Sequence, residues 1–529
     1  MGVLKRIILT LCVALFFFSY AYSFAEDFYI KEGGSNAFLV SSSCSTNYMS
    51  PAFFNTASNW QTSKTANKIG AGDTVHLCGI ISTPLTVQAS GTSGNKITIK
   101  FEDDAKLSKP SWNGIALNTN SKQYLIIDGG TNGIIENTDT GTLGFYNYQQ
   151  NAQGIWASGC NYCEIKNLNI QNIYRRTSAS DTTPSWSQSV CAWLSGTNLS
   201  FHDNICHDSA GGVIYSYNDG DDNVRIYNNE FYNNGHNFTL SSGGDKHAGK
   251  IYYYNNYAHD YAAWDGSGCP YHNSAIHAYG VGSPWPDVQE FWIYNNKFEN
   301  PGICSSGHIF LEGNPQSTGY TPWTGSTGTA YFFNNIVKGA AVTISNGQNH
   351  IVANNAFITS DISLNLKATT NPIVKNNYFS GTSMTFFEAA TSEILTLSNV
   401  NNNIYANATG YNLWCWPGKS CTGNFTTYKT NCAGCETESY YDAATDGGVD
   451  QTTGRPKSGS DVINNGVDLS GLGIAALNSD KDGVARGSAW DIGAYEYNGG
   501  NNTSMIGVYN VKGMSGYYNA NGMVGIAPN

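Results

Sequence analysis

The stretch Asn295-Asn296-Lys297-Phe298 contains the phrase that decides the fold of this chain: two asparagines, a variable residue and an apolar residue. The phrase recurs down the middle of the sequence, at residues 228–231, 255–258, 295–298, 334–337, 354–357, 376–379 and 402–405. A degenerate copy occupies 203–206, and Asn167-Leu168-Asn169-Ile170 is predicted to begin the series. Counted from Asn204, the second asparagine recurs after 25, 27, 40, 39, 20, 22 and 26 residues, which is the irregular spacing of a solenoid.

The residues around each asparagine pair predict two short strands joined by a bend. Apolar residues alternate before the pair, as in Val224-Arg225-Ile226, and another apolar residue stands two positions after it. The set of alternate residues that faces inward therefore shifts by one position across the pair, as it does at a sharp bend between two strands. Asparagine tolerates the left-handed backbone conformation, and its amide both donates and accepts, so asparagines on successive turns can form a ladder. Turns stacked at roughly 4.8 Å share a core that no single turn can build.

This pattern resembles a right-handed parallel β-helix, the architecture of pectate lyase-like proteins. The resemblance is carried by the asparagine phrases and covers about residues 95 to 410. It implies an all-β solenoid with an asparagine ladder, an N-terminal cap with the first rung at 26–110, and a parallel β-helix at 111–410. The runs at 72–76 and 94–100 are similar to the opening segment of secreted β-helix proteins, where they form the cap.

The C-terminal part is predicted to close the solenoid. Residues 411–497 form a cysteine-containing loop and an irregular closing segment. Within them, Asp480-Lys481-Asp482-Gly483, Arg486 and residues 491–496 resemble the closing segment of bacterial surface β-helix proteins. Residues 498–529 are rich in Gly and Asn and are interpreted as a loose tail.

The first 25 residues predict export. Lys5 and Arg6 precede an apolar run from Ile7 to Phe18, and small residues follow at 23–25, which is the pattern of a cleavable secretory signal. No later segment approaches the roughly 20 apolar residues that a membrane span needs. We therefore expect a mature chain that is secreted, either extracellular or at the cell surface, and that has no membrane span.

Composition narrows the class of partner. The chain has 27 Lys and Arg against 39 Asp and Glu, a formal net charge of -12, so it lacks the positive field that nucleic-acid binding requires. Its polarity comes from Asn, Ser, Thr and 34 Tyr rather than from ions, since only 12% of residues are charged. A polysaccharide is the favoured partner, and an acidic one would need a bound cation or a local basic spot. The sequence does not fix the oligomeric state.

The cysteines favour disulfides. Removing Cys12 with the signal leaves twelve, an even number that suits an oxidising compartment. Cys44 with Cys78 and Cys269 with Cys304 are plausible pairs. A further cluster has the spacing of a zinc site: Cys415, Cys421, Cys432 and Cys435. In an exported protein we favour disulfides over zinc for this cluster.

A second strand lies between successive asparagine phrases, and its alternation predicts an outward face. If Ile155, Ile276 and Ile309 point into the core, one outward column contains Trp156, Trp193, Thr239, His277, Phe310 and Thr343. The next outward column contains Ser158, Ser195, Ser241, Tyr279, Glu312 and Ser345. Trp156, Trp193 and Phe310 are candidates for sugar binding, because aromatic rings offer flat apolar surfaces to sugars. The alternative is that these rings lie under neighbouring insertions.

The long insertions beside this face carry the densest ionisable residues. Asp219, Asp221 and Asp222 are candidate calcium ligands, or they form an ordinary solvated turn. Six ionisable residues are predicted to converge on one side of the coil: Asp222, Lys246, His247, His272, His277 and Glu312. The insertion before His272 also contains Asp265. A weaker candidate is a second exposed column three positions after the ladder asparagine: His207, Tyr232, His259 and Glu299.

Three functions follow from these residues. The first is a lyase that cleaves an acidic glycan by β-elimination, with Lys246 as base and His277 or Tyr279 as acid. The second is glycoside hydrolysis by Glu312 and Asp265. The polygalacturonase branch of the fold carries Asn-Thr-Asp and Gly-His-Gly phrases, and neither occurs here, which disfavours hydrolysis. The third is a non-catalytic surface protein that binds glycan or builds an extracellular layer.

Overall fold

The structure is a computed structural model. It describes residues 25–138, 152–173, 189–215, 220–235, 240–242, 248–261, 274–279, 288–299, 309–312, 329–339, 341–345, 349–358, 364–367, 371–380, 399–406, 420, 422–442, 446–499, 516–519 and 522–525. None of the helices within these ranges is long and apolar enough to cross a membrane.

Three parallel sheets contain nearly all of the described strands, and the chain visits them in a repeating order. Sheet 1 consists of Asp27–Ser35, Thr74–Leu77, Ile97–Phe101, Leu125–Asp128, Glu164–Lys166, Ser200–His202, Val224–Tyr227, Ala248–Tyr254, Val288–Tyr294, Thr329–Phe333, Ile351–Ala353, Ile373–Lys375 and Val400–Asn401. Sheet 2 consists of Ile80–Ile81, Lys106–Lys109, Ile134–Asn137, Asn169–Gln171, Ile205–His207, Glu230–Tyr232, Tyr257–His259, Lys297–Glu299, Ile336–Lys338, Ala356–Ile358, Tyr378–Ser380, Ile404–Ala406 and Tyr440–Asp442. Sheet 3 consists of Leu85–Thr86, Gly114–Asn118, Ala152–Ala157, Val190–Leu194, Gly211–Tyr215, Leu240–Ser242, Ile276–Tyr279, Ile309–Glu312, Val342–Ser345 and Leu364–Lys367.

A few elements lie outside these sheets. Short α-helices span Pro51–Asn55 and Phe425–Asn431, and 3-10 turns span Ala57–Asn59, Ser470–Leu472 and Ala475–Asn478. The strands Gly516–Asn519 and Gly522–Gly525 pair antiparallel, in the segment that is predicted from sequence to be a loose tail. Within the three sheets every pairing is parallel and joins strands one turn apart, so the described chain forms a coil.

The asparagine pair makes the bend between sheet 1 and sheet 2, and its two members have different tasks. The first asparagine adopts the left-handed conformation, with φ of 54° at Asn228, 57° at Asn295 and 56° at Asn376. The second is buried and points inward, where its side-chain amide donates to the side-chain oxygen of the next one. These bonds measure 3.2, 3.0, 3.3, 3.0, 3.1, 3.0 and 3.1 Å along Asn204, Asn229, Asn256, Asn296, Asn335, Asn355, Asn377 and Asn403. The predicted right-handed parallel β-helix with an asparagine ladder is confirmed.

The two ends of the ladder differ chemically. Leu168, not an asparagine, takes the ladder position at the start, and only its backbone N–H donates to Asn204 Oδ1, at 3.0 Å. The series therefore begins one turn later than the sequence predicts. At the other end Asn403 donates to the buried carboxyl of Glu436 at 3.2 Å, which also accepts from Tyr405 at 2.5 Å and from Ser439. Burial raises the pKa of Glu436.

The core is a set of columns that run through all the turns. In sheet 3 the inward column contains Ile155, Ala192, Val213, Ile276 and Ile309, all completely buried. In sheet 2 the rings of Phe357, Phe379 and Tyr405 stack with centroids 4.8 and 5.2 Å apart. Such ring pairs are worth about 0.5–1.5 kcal/mol each beyond the area that they bury.

The N-terminal segment is part of the coil as well as its cap. The sequence predicts a cap and the first rung for residues 26–110. In the structure these residues contribute three strands to sheet 1, beginning with Asp27–Ser35. The helix Pro51–Asn55 begins at Ser50, whose hydroxyl accepts the backbone N–H of Phe53 at 3.1 Å. Phe53 and Phe54 are buried in the core of the first turns, so the helix covers strand edges that would otherwise be open.

The closing segment lies along the outer side of the last turns. Residues from 446 onward pack Val462, Ile492 and Tyr495 against outward apolar residues of sheet 2, and Leu469, Leu477 and Trp490 against those of sheet 1. Asn334 donates to Ser479 O at 2.8 Å, and Asn376 donates to Val467 O at 2.8 Å. First asparagines of two pairs thus hold the closing segment in place.

Four disulfides join cysteines within the described residues. Cys44–Cys78 is bonded as predicted. Cys432 and Cys435, members of the cluster with zinc-like spacing, are bonded to each other, as are Cys160–Cys163 and Cys191–Cys206. The predicted pair Cys269–Cys304, together with Cys415 and Cys421, lies outside the described residues.

Candidate functional site

Sheet 3 carries the predicted outward column. Its register aligns Trp156 with Trp193, and His277 with Phe310 and then Thr343. The predicted member Thr239 is wrong: the strand Leu240–Ser242 pairs Ser241, not Thr239, with His277. Phe238 and Leu240 have the same parity, so alternation alone cannot detect a shift of two residues.

The two tryptophans of this column stack on each other rather than lying side by side. The ring centroids of Trp156 and Trp193 are 4.8 Å apart, and the ring planes differ by 19°. Their facing surfaces therefore cover one another, and the side chains remain only partly exposed. The next positions of the column are Asn118 on one side and Ile214 on the other, so a glycan crossing this pair would meet mainly ring edges.

His277 and Glu312 lie on neighbouring strands of sheet 3, as predicted. Tyr279 is the register partner of Glu312, and His277 is the partner of Phe310. His277 shares the outward column with Trp156, yet only 7% of it is exposed. For Tyr279, Phe310 and Glu312 the structure describes the strand positions alone.

The candidate calcium loop is hydrogen-bonded to the turn of the coil before it and to the turn after it. Asp221 Oδ2 accepts the Ser195 hydroxyl and the Gly196 N–H, both at 3.1 Å. Asp222 Oδ1 accepts the Lys250 N–H at 2.7 Å. Within the described part of the chain no group of three His, Cys, Asp or Glu is arranged to hold a metal. The two described carboxylates join consecutive turns and do not form a calcium cage, so calcium binding stays a prediction.

Several predicted site residues lie outside the described residues: Asp219, Lys246, His247, Asp265 and His272. Lys246 and His247 stand between two described strands, Leu240–Ser242 of sheet 3 and Ala248–Tyr254 of sheet 1. Asp219 stands two residues before Asp221. Their roles stay predictions.

Sheet 2 brings the weaker candidate column together as an ionic and aromatic network. His207, Tyr232, His259 and Glu299 are aligned in register, as predicted. Glu299 accepts from Lys297 at 2.7 Å, from Lys338 at 3.0 Å and from the Tyr257 hydroxyl at 2.9 Å. Burial alone would raise the pKa of Glu299, but the lysine hydrogen bonds outweigh it and lower this pKa to about 2. Glu299 therefore stays ionised near neutrality and cannot act as a general acid.

His259 lies between two carboxylates within this network. Its Nε2 lies 3.1 Å from Glu230 and its Nδ1 lies 2.7 Å from Asp260, while the Tyr257 ring stacks on it at 4.1 Å. Burial opposes the charged form, but the hydrogen bonds to the two carboxylates outweigh burial and raise the pKa of His259.

We expect His259→Gln to reduce stability most at low pH. Because the folded pKa of His259 is raised, its stabilising charge is fully present below the unfolded value of about 6.5 and is lost as pH rises through the folded value. Denaturant unfolding of parent and variant between about pH 5 and pH 9 measures the difference in their free energies of unfolding. This difference should become smaller as the pH rises. A difference that does not depend on pH would contradict this assignment.

Sheet 1 carries two columns of outward rings that the sequence interpretation missed. Tyr227, Tyr254 and Tyr294 stack with centroids 4.8 and 4.9 Å apart, one position before the asparagine pair. Beside them Tyr252, Trp292 and Tyr331 stack at 5.8 and 3.8 Å. We call these six residues the aromatic strip. The signal was visible, because alternation read backward from each asparagine pair gives these positions.

Comparisons of the sequence with known proteins do not identify a family for this chain. No protein-family model matches the sequence, and no curated protein matches it. Among solved structures, the chain is similar to the crystal structure of pectate lyase Pel9A, with a TM-score of 0.38 and 14% sequence identity. The match covers 90% of this chain and 98% of that chain. A likeness of this size says nothing about substrate or chemistry.

Proposed function

We propose that this protein is secreted and cleaves an acidic polysaccharide by β-elimination at the outward face of sheet 3. One observation supports this best. The Gly249 N–H donates to Asp221 O at 2.7 Å, and the Lys250 N–H donates to Asp222 Oδ1 at the same distance. The acidic loop is therefore bonded to the segment that directly follows Lys246 and His247. The strand ends that lead to Tyr279 and Glu312 lie on the next turns.

The proposed chemistry needs a base, an acid and a neutralised substrate carboxylate. Lys246 is the proposed base, and it requires a lowered pKa, which burial or protonation of the neighbouring His247 would provide. His277 or Tyr279 is the proposed acid for the leaving oxygen. The low exposure of His277 suits a proton donor that is shielded from water. Trp156, Trp193, Phe310, His272 and Asp265 are the proposed contacts to the sugar chain.

Calcium is a separate part of the proposal. When bound at the loop that contains Asp219, Asp221 and Asp222, it would supply the neutralising charge for the substrate carboxylate. Calorimetric titration of the chelated protein with calcium tests this directly, without any substrate. Unchanged heats on adding calcium would remove the ion from the proposal and leave neutralisation to basic side chains.

The lyase proposal predicts that Lys246→Ala lowers turnover by about a hundredfold, the usual loss on removing a general base. The assay incubates the mature chain with polygalacturonate, alginate and a neutral galactan, with and without calcium, and follows the ultraviolet absorbance of the unsaturated product. Lys106→Ala, which removes a half-exposed lysine of sheet 2, is the matched control and should keep full turnover.

Two outcomes would reject a lyase. Unsaturated product that survives Lys246→Ala unchanged would remove Lys246 from the reaction. Retardation on a polysaccharide gel without any released product would assign the protein to the non-catalytic glycan-binding class.

A further inference from the structure

We propose that the aromatic strip on sheet 1 is a second polysaccharide-binding surface, which holds a carboxylate-bearing glycan along the coil axis. It lies on a different sheet from the proposed lyase face and does not depend on that face being catalytic. The surface is formed by Tyr227, Tyr252, Tyr254, Trp292, Tyr294 and Tyr331, with Arg225 at its lower edge.

The hydroxyl groups of the strip are available to a ligand. Within the described part of the chain no residue forms a hydrogen bond with the phenol oxygens of the five tyrosines. The network on sheet 2 is different, since Tyr257 there donates to Glu299 at 2.9 Å. A row of unengaged hydroxyls on stacked turns can bond a polymer that repeats a polar unit in the same direction.

The ring geometry favours a polar polymer over an apolar partner. Tyr227, Tyr254 and Tyr294 are parallel within 5°, so neighbouring rings cover each other's faces. A ligand that approaches from solvent therefore meets ring edges and hydroxyl groups rather than a flat apolar surface. Because the stacking already fixes the rings, little side-chain freedom is lost on binding.

Arg225 supplies the charge that selects a carboxylate. It is exposed, lies 5.6 Å from the centre of the Tyr252 ring, and forms no ion pair with any residue that the structure describes. On a chain with a net charge of -12, an exposed guanidinium outside any described ion pair, beside a row of hydroxyls, is a local match for an acidic sugar.

The strip has a definite upper end. Phe333 continues the column above Tyr294 at 4.9 Å, but it is fully buried in the cluster that contains Leu477 and Trp490 of the closing segment. From Tyr227 to Tyr331 the strip spans four strands of sheet 1, or about 15 Å at the usual strand spacing. That length fits a short section of a glycan chain. The upper members of the strip, Trp292, Tyr294 and Tyr331, are partly exposed and pack on one side against the same cluster.

The test is affinity electrophoresis of the full chain in gels that contain polygalacturonate, in a Lys246→Ala background so that the polymer stays intact. Arg225→Gln, and the triple change of Tyr252, Tyr254 and Tyr294 to Phe, should each weaken binding about tenfold, as loss of charged and hydroxyl hydrogen bonds implies. Tyr→Phe keeps the stacking, so these variants fold like the parent.

Matched controls lie elsewhere on the coil. Lys109→Gln removes another cation above a ring, 5.4 Å from Trp112, and Tyr162→Phe changes an exposed ring stacked on Tyr124 at 4.8 Å. Both should bind like the parent.

Equal retardation of parent and strip variants, or equal retardation by a neutral galactan, would overturn the proposal. So would a change of oligomeric state in the strip variants, since it would assign the strip to self-association. Product release, assayed with Lys246 restored, reports separately on the lyase.

Discussion

Replacing Asn296 with alanine is expected to lower the free energy of unfolding by about 3–5 kcal/mol, because four buried hydrogen bonds are lost, each worth roughly 1 kcal/mol. Asn296 Oδ1 accepts the Asn256 N–H at 2.9 Å and the Asn256 side-chain amide at 3.3 Å, and the Asn296 side-chain amide donates to Tyr253 O and to Asn335 Oδ1, each at 3.0 Å. It is completely buried, so water cannot replace these bonds without entering the core. Denaturant unfolding followed by circular dichroism measures the loss.

The neighbouring asparagine provides the control. Asn295 has a φ of 57° and contributes the bend rather than the ladder. Glycine adopts that conformation without strain, so Asn295→Gly should change stability far less than Asn296→Ala. If the two variants were equally destabilised, the ladder hydrogen bonds would contribute no more to the free energy of unfolding than the bend does. The need for a bend would then be enough to explain why the asparagine pair recurs.

Replacing Arg486 with methionine is expected to release the closing segment from the coil at a cost of about 3–5 kcal/mol, the usual effect of breaking a buried ion pair. The Arg486 side chain is fully buried, pairs with Glu496 at 2.5 Å, and donates to Gly493 O at 3.0 Å and to Asn334 Oδ1 at 3.2 Å. Methionine fills much of the volume but leaves the Glu496 carboxylate without its cation. Hydrogen exchange should then rise across residues 446–499 while the earlier turns stay protected.

Arg455 is the matched control for Arg486. It pairs with Asp482 in the same segment, but a third of its side chain is exposed, and it also lies over the Tyr495 ring. Exposed pairs contribute about 0–1 kcal/mol, so Arg455→Met should leave the segment docked. Unchanged exchange in Arg486→Met would show that apolar contacts around Trp490 hold the segment without the arginine.

The ladder could be predicted because one residue type carries it at every turn. Asparagine combines a tolerated left-handed bend with a self-complementary amide, and both properties belong to the residue itself. The outward column of sheet 3 was also largely predictable, since alternation fixes parity. It does not fix position, and the strand at Leu240 is shifted by two residues from the predicted one.

The closing segment shows what a repeat pattern cannot predict. Asn334 contacts Ser479 and Arg486 across 145 and 152 residues, and Asn376 contacts Val467 across 91. No periodicity connects these positions. The outward Ile336, Ala356 and Ile358 look misplaced on a solvent face until the closing segment is known to cover them.

The unidirectional bonding from Asn204 to Glu436 has an evolutionary consequence. Each interior asparagine accepts a hydrogen bond from the turn before it and donates one to the turn after it. When a whole turn is duplicated or deleted, the same asparagine-to-asparagine bond forms again, so the coil can lengthen or shorten by whole turns. The boundaries do not share this freedom. At the last turn Ser439 accepts the Asn403 N–H at 2.9 Å and Glu436 accepts the Asn403 side-chain amide at 3.2 Å, so a new turn added there would require one asparagine to replace the work of both side chains.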